Sequence, residues 1–303
     1  MNDQAEKLRN IVKNLKENNN SEVNAESKKA ARVIAVTSGK GGVGKTNITV
    51  NLGIALSKRG LRVVILDVDL GLANIDILLG KSTRYTLVEL IRGERNIFEV
   101  LADGPDNVKF ISGGSGVDEL AQLDKSQIDN LVSNIALLDK LCDVILIDTG
   151  AGISNSVISF LMAADEVLLV TTPEPTAITD GYAMIKTIIR KDRHKIVKVI
   201  VNKADSIREV EDVLDKLFMV SERFLSFELE KMGYILNDEC VSKAVKQQKP
   251  FSLVYPKSHA TYQITQMAAT LLHDDSNSDE DNTNVHGKGI RGFFSRLLGS
   301  YGI

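Results

Sequence analysis

The chain is poor in the features that mark extracellular or membrane-spanning proteins. Only two of its 303 residues are cysteine, Cys142 and Cys240. That is too few for a disulfide framework, and their spacing suits no zinc site. No uninterrupted apolar run approaches the ~18 residues of a membrane-spanning helix. The opening residues MNDQAEKLRN also lack the apolar core of a secretory signal. Net charge is small, 37 Lys+Arg against 40 Asp+Glu, giving −3. There is thus no global attraction to nucleic acid, and such binding would need a local patch. His194, His259, His273 and His286 have no ligand spacing. At 43% hydrophobic and 25% charged residues the composition is globular, which excludes wholesale disorder. A cytoplasmic protein is expected.

Composition divides the chain into four stretches. Residues 1–30 hold a short helical pattern followed by the polar run ENNNSEVNAESKK, a linker by composition. Residues 31–273 alternate apolar strand-like runs with helical periods. Residues 274–287 are acidic and aperiodic, and residues 288–303 turn apolar and basic. In the long stretch, RVIAVT, RVVILD, NVKFIS, DVILID, EVLLVTT and IVKVIVN are apolar at nearly every position. Strands buried on both faces read this way, and they occur in parallel sheets covered by helices. The alternation predicts a doubly wound, mostly parallel α/β sheet with ligands at the carboxyl ends of its strands.

After RVIAVT comes Ser38, then Gly39, Lys40, Gly41, Gly42, Val43, Gly44, Lys45 and Thr46, then a helical period. This satisfies G-x-x-x-x-G-K-S/T between a strand and a helix. The glycines let backbone N–H groups surround phosphate oxygens, and the helix N-terminus adds partial positive charge. Lys45 can reach the β- and γ-phosphates, and the Thr46 hydroxyl can ligate Mg²⁺.

The extra lysine makes the pattern more specific. KGGVGKT resembles the deviant Walker A motif of the MinD/ParA family of ATPases, P-loop NTPases with the sheet described above. The resemblance implies ATP and Mg²⁺, and a nucleotide-sandwich homodimer in which Lys40 reaches the partner's phosphates. Asp67 ends RVVILD and, with Asp69, begins a string, DVDLGLAN, similar to the family's switch I, whose second aspartate helps position the hydrolytic water. Asp148 ends DVILID and matches a Walker B aspartate holding Mg²⁺ through water. The Gly150–Gly152 segment after it resembles a switch II that senses the γ-phosphate. Asn202 ends IVKVIVN where the family contacts adenine. Asn202, Lys203, Ala204 and Asp205 also spell NKxD, the guanine-reading element of GTPases. The family resemblance favours ATP. The family usually has a proline where this chain has Leu236 or Asn237. Glu174 and Pro175 follow a strand end, in a loop that would face the nucleotide or a dimer partner.

Both termini carry signals. DQAEKLR, with Asp3, Gln4, Ala5, Leu8 and Arg9, resembles the activator motif of the FlhG/FleN branch, flagellar-number regulators whose motif stimulates the signal-recognition-type GTPase FlhF. The strings GKTNITVNLGIAL, DVDLGLANIDILLG and DTGAGIS resemble the same branch, and the resemblance implies flagellar basal-body or transcriptional regulators as further partners. At the other end Ile290, Phe293, Phe294, Leu297 and Leu298 recur at helical spacing beside Lys288, Arg291 and Arg296. This is the pattern of an in-plane amphipathic helix on an anionic membrane. A helix docked on the chain's own core or on a partner is the alternative. The acidic linker favours the detachable tether, so the protein is expected to be reversibly peripheral on the inner membrane face. A slow, partner-regulated ATPase follows from these resemblances. Two rivals remain open: a DNA-partition or division-site ATPase, for which RKDRHKIVK is the obvious basic cluster, and an iron–sulfur carrier. Inert thiols are the expectation for the cysteines. Phe218, Phe224 and Phe227 are expected in the core.

Overall fold

A computed structural model describes residues 30–69, 74–113, 125–277 and 289–300. Asp3, Gln4, Ala5, Leu8 and Arg9 lie outside the described residues, as does most of the acidic stretch. The strands are β1 (Arg32–Ser38), β2 (Val63–Val68), β3 (Ala102–Asp103), β4 (Lys109–Ile111), β5 (Val144–Ala151), β6 (Glu166–Thr171), β7 (Ile196–Ala204) and β8 (Glu230–Leu236). The early helices are α1 (Lys45–Ser57), α2 (Asn74–Leu79), α3 (Leu87–Ile91), α4 (Ile97–Val100), α5 (Lys125–Ile135) and α6 (Leu138–Leu141). Then follow α7 (Asn155–Ala163), α8 (Pro175–Lys191), α9 (Ile207–Leu225), α10 (Glu239–Lys246), α11 (Phe251–Val254), α12 (His259–Asn277) and α13 (Gly289–Ser300).

The strands form one sheet in the order β3-β4-β2-β5-β1-β6-β7-β8. Every pairing is parallel except β3 with β4 at the edge. The near-continuous apolar runs follow from this. In β1, Val33 and Ala35 pack toward one helical layer, and Ile34 and Val36 toward the other. Both faces are dry, so neither alternate position can be polar. The first layer holds α3, α5, α7, α8, α9 and α13; the second holds α1, α10, α11 and α12. Helix α1 is buried nearly all round, because it lies between the sheet and α12. Even its polar Thr49 and Asn51 are inaccessible, and Asn51 Oδ1 accepts the Ser252 N–H at 2.9 Å.

The last helix differs most from expectation. Ile290, Phe293, Phe294, Leu297 and Leu298, expected to face a membrane, are all buried against the chain itself. Helix α13 packs on α7 and also touches α5, α6 and β1. Phe293 stacks on Phe160 of α7 with ring centroids 6.1 Å apart. Asp139 of α6 caps the helix, accepting the Ile290 N–H at 2.9 Å and the Ala31 N–H at 3.3 Å. Gly289 has φ +84°, and a Cβ there would strike Asp139 and Ala30, so only glycine fits this entry. Arg296 donates to the Ala163 carbonyl at 2.8 Å and pairs with Asp165 at 3.1 Å. The packed alternative describes this state, because the stripe that would suit a bilayer equally suits an apolar groove. Phe224 also departs from expectation at 66% exposed, whereas Phe218 and Phe227 pack against the core. No helix among the described residues is long and apolar enough to cross a membrane.

Candidate functional site

The carboxyl ends of β1, β2, β5 and β7 converge on a cleft of about 770 Å³. Its walls include Gly41 to Thr46, Asp69, Asn74, Asn202, Lys203 and the segment Ile235 to Asp238. Gly44 caps α1 with φ +93°, and a Cβ on it would collide with the Asn202 amide. Glycine is therefore required where the loop turns into the helix. That turn aims the first N–H groups of α1 into the cleft, a ready anion site.

The two loop lysines point to different partners. Lys45 is buried, and its Nζ donates to Asp148 Oδ1 at 2.8 Å. Lys40 does not line the cleft. Its Nζ donates to Glu174 Oε2 at 2.8 Å and to Thr176 Oγ1 at 2.9 Å, at the start of α8. The hydrogen bond and charge of Lys40 hold the Glu174 carboxyl below its ordinary range. Glu174, expected in a loop facing the nucleotide or a dimer partner, has the extra lysine as its partner here.

The acidic residues Asp67 and Asp148 lie side by side next to the phosphate loop. In the parallel register Asp67 lies opposite Asp148, and both are fully buried. Burial, followed by the neighbouring Asp148 charge, pushes the Asp67 carboxyl up to about 7. Thr46 Oγ1 donates to Asp148 Oδ2 at 2.6 Å. Two facing carboxylates beside a hydroxyl, in a place that resists a second negative charge, fit a divalent cation. Thr46 and Asp148 would hold Mg²⁺, with Asp67 beside them. The ion would supply neutralisation of charge on the β- and γ-phosphate oxygens. Asp67 has a further job not evident from the motif: it accepts the Asp69 N–H at 3.0 Å and the Ile75 N–H at 3.3 Å. It thereby holds the backbone of Asp69, whose Oδ2 accepts from Asn74 Nδ2 at 3.0 Å. Asp69 lines the cleft, where it can orient a water.

At the base end, Asn202 Nδ2 donates to the Val43 carbonyl at 2.7 Å and its Oδ1 accepts the Lys203 N–H at 2.9 Å. Lys203, at φ +60°, donates from Nζ to the Gly42 carbonyl at 2.7 Å. Both residues brace the phosphate loop from β7. Sequence reasoning marked Asn202 for base contact and missed this bracing, which depends on residues about 160 positions apart.

The cysteines do not converge. Cys142 is buried with its thiol pushed up to about 12, mainly by burial, and Sγ donates to the Leu138 carbonyl. Cys240 begins α10 on the other layer. Among the described residues no cluster of three or more His, Cys, Asp or Glu could hold a metal ion as a dedicated centre. The basic cluster gathers Lys186, Arg190, Lys191 and Arg193 around a hollow that also exposes Phe224.

Residues 29–272 match the ParA family model, described as a NUBPL iron-transfer P-loop NTPase. The antiactivator FleN of Pseudomonas aeruginosa is 44% identical over 76% of this chain and 82% of its own length. The flagellum site-determining protein YlxH of Helicobacter pylori is 35% identical over 98% of this chain and 99% of its own. Among solved structures, the MinC:MinD cell division complex of Aquifex aeolicus superposes with a TM-score of 0.66. It is 26% identical, and the match covers 80% of this chain and 96% of that one. The loop with its additional lysine, the facing aspartates, the sheet order and these likenesses agree: the chain belongs to the MinD/ParA family of P-loop ATPases.

Proposed function

We propose that the protein is an ATP-driven switch that sets flagellar number or placement. In this reading ATP and Mg²⁺ fill the cleft and two chains pair face to face. Lys40 leaves Glu174 and Thr176 to reach the partner's phosphates. Asp69 then orients the hydrolytic water, and hydrolysis separates the pair. The observation that carries the reading is the placement of Lys40. It sits on the phosphate loop yet turns out of its own cleft onto an exposed carboxylate that a phosphate can replace. The similarity to FleN and YlxH supports the flagellar assignment. The N-terminal DQAEKLR segment would engage an FlhF-type GTPase.

Membrane attachment belongs to the same switch, with α13 as its movable part. Burying each Phe or Leu of its stripe contributes ~1.5–3 kcal/mol, whether the surroundings are the groove or acyl chains. Burial of the stripe by itself therefore does not favour the groove over the membrane, and the groove's own apolar surface and the ties of Asp139 and Arg296 are what pairing would have to offset. Pairing, which presents two helices at once, can decide between them by avidity. The protein would then be cytoplasmic as a single chain and peripheral on the membrane as a pair.

Co-sedimentation with anionic vesicles tests this. Retention is expected with ATP, not with ADP, and not for a chain ending before Gly287. Binding that ignores nucleotide and survives the truncation overturns it. Capture by an FlhF-type GTPase should fail for Gln4→Ala; equal capture of both forms removes the flagellar partner. A DNA-partition role is the second reading, favoured by the basic hollow of Lys186, Arg190, Lys191 and Arg193. Salt-sensitive, ATP-dependent retention on DNA without vesicle binding would favour it.

A further inference from the structure

Four cations surround one hollow at the end of α8 remote from Lys40: Lys186, Arg190 and Lys191 on the helix and Arg193 just beyond it. The hollow measures about 690 Å³, and no acidic residue lines it among the described residues. None of the four cations has a carboxylate partner among those residues either. Asp192, the acid between Lys191 and Arg193, is engaged in its own loop. Its Oδ1 accepts the His194 N–H at 2.9 Å, and its Oδ2 lies 3.9 Å from Lys195 Nζ. The end of α9 adds an apolar wall. Phe224 is 66% exposed there, with the Arg223 guanidinium 5.7 Å from its ring centre.

The hollow is also tied to the last helix of the chain. Lys195, two residues past Arg193, donates to the Met162 and Ala164 carbonyls at the end of α7, at 2.9 and 2.6 Å. Arg296 of α13 donates to the Ala163 carbonyl between them. The loop that carries Arg193 and helix α13 are therefore held by the same turn of α7.

We propose that this hollow binds the headgroups of anionic lipids, as a fixed second membrane contact beside the movable α13. The inference rests on the membrane reading of α13 and adds a surface to it. Cations near an anionic bilayer tighten binding by about fivefold each. An exposed aromatic beside them gains by entering the boundary between headgroups and acyl chains. Phe224 thereby separates this partner from duplex DNA, whose backbone would satisfy the cations but leave the ring in water. The contact supplies charge that stays in place when α13 moves.

Co-sedimentation of the full chain with ATP and Mg²⁺ tests this, on vesicles of phosphatidylcholine with and without phosphatidylglycerol. The combined variant Arg190→Ala, Lys191→Ala, Arg193→Ala should bind the anionic vesicles roughly tenfold more weakly or worse, with a flatter salt dependence. Its thermal unfolding should match the natural chain's, because all three side chains are exposed. Phe224→Ser should weaken binding severalfold and leave the salt dependence unchanged. Vesicle binding that the combined variant retains in full overturns the inference, while a natural chain released by truncation before Gly287 keeps the α13 tether standing. Loss of duplex DNA retention by the combined variant, with vesicle binding intact, also overturns it and gives the hollow to nucleic acid. A natural chain that neither vesicle retains overturns the hollow and the tether together.

Discussion

The two faces of the sheet are closed by helices of different standing. On one face α1 runs straight out of the phosphate loop and is clamped between the sheet and α12. Its polar interior residues are bonded inward, Thr49 to Asp148 and Asn51 to Ser252. Helix α1 cannot leave that face without dismantling the phosphate site. On the other face α13 fills a groove along α7 with a single apolar stripe. Its polar ties among the described residues include Asp139 at its start and Arg296 on Ala163 and Asp165. The helix built around the site is tied to it by buried hydrogen bonds, whereas the helix that completes the other layer is held chiefly by its apolar stripe.

Charge placed in each layer should break the comparison most sharply. Ile264→Asp, in the α12 core, should abolish cooperative folding, a loss beyond about 4 kcal/mol. Phe293→Asp should leave the ATPase domain folded and free only α13. Thermal unfolding together with amide exchange over residues 289–300 distinguishes the outcomes; equal damage from both would make α13 as integral as α12. A smaller effect is expected for Asp139→Ala, which removes the cap of α13. It should weaken docking by about 1 kcal/mol and speed exchange at Ile290 and Arg291 while sparing α1. The smallest effect sharpens the contrast without a mutation. Because burial holds the Cys142 thiol near 12, its thiolate is scarce at pH 8, and Cys142 should resist a thiol reagent until the domain unfolds. Rapid labelling of Cys142 in the folded chain would mean that its layer opens as a whole.

Much of this was legible from sequence, for physical reasons that also mark where legibility ends. Strands dry on both faces must be apolar throughout, so β1, β2, β5, β6 and β7 could be read directly. The phosphate loop was legible because only glycine tolerates the φ of Gly44, and because one strand carries Asp67 opposite Asp148 on another. The docking of α13 was not legible, since a stripe of Ile290, Phe293, Phe294, Leu297 and Leu298 matches a groove or a bilayer alike. Nor was the Lys40–Glu174 pair, because it joins residues 134 positions apart. Periodicity assigned Phe224 to the core, but at the end of α9 it is exposed. The separation of α5 from α6, which places Asp139 under α13, was not legible either.

The central claim is that occupancy of one cleft by ATP pairs two identical chains through Lys40. Sedimentation of the ATP-saturated chain with turnover blocked by Asp69→Ala tests it most directly. The expected result is a particle of twice the single-chain mass that reverts to one chain when Lys40→Ala is added. A chain that stays single at saturating ATP with hydrolysis blocked would contradict it.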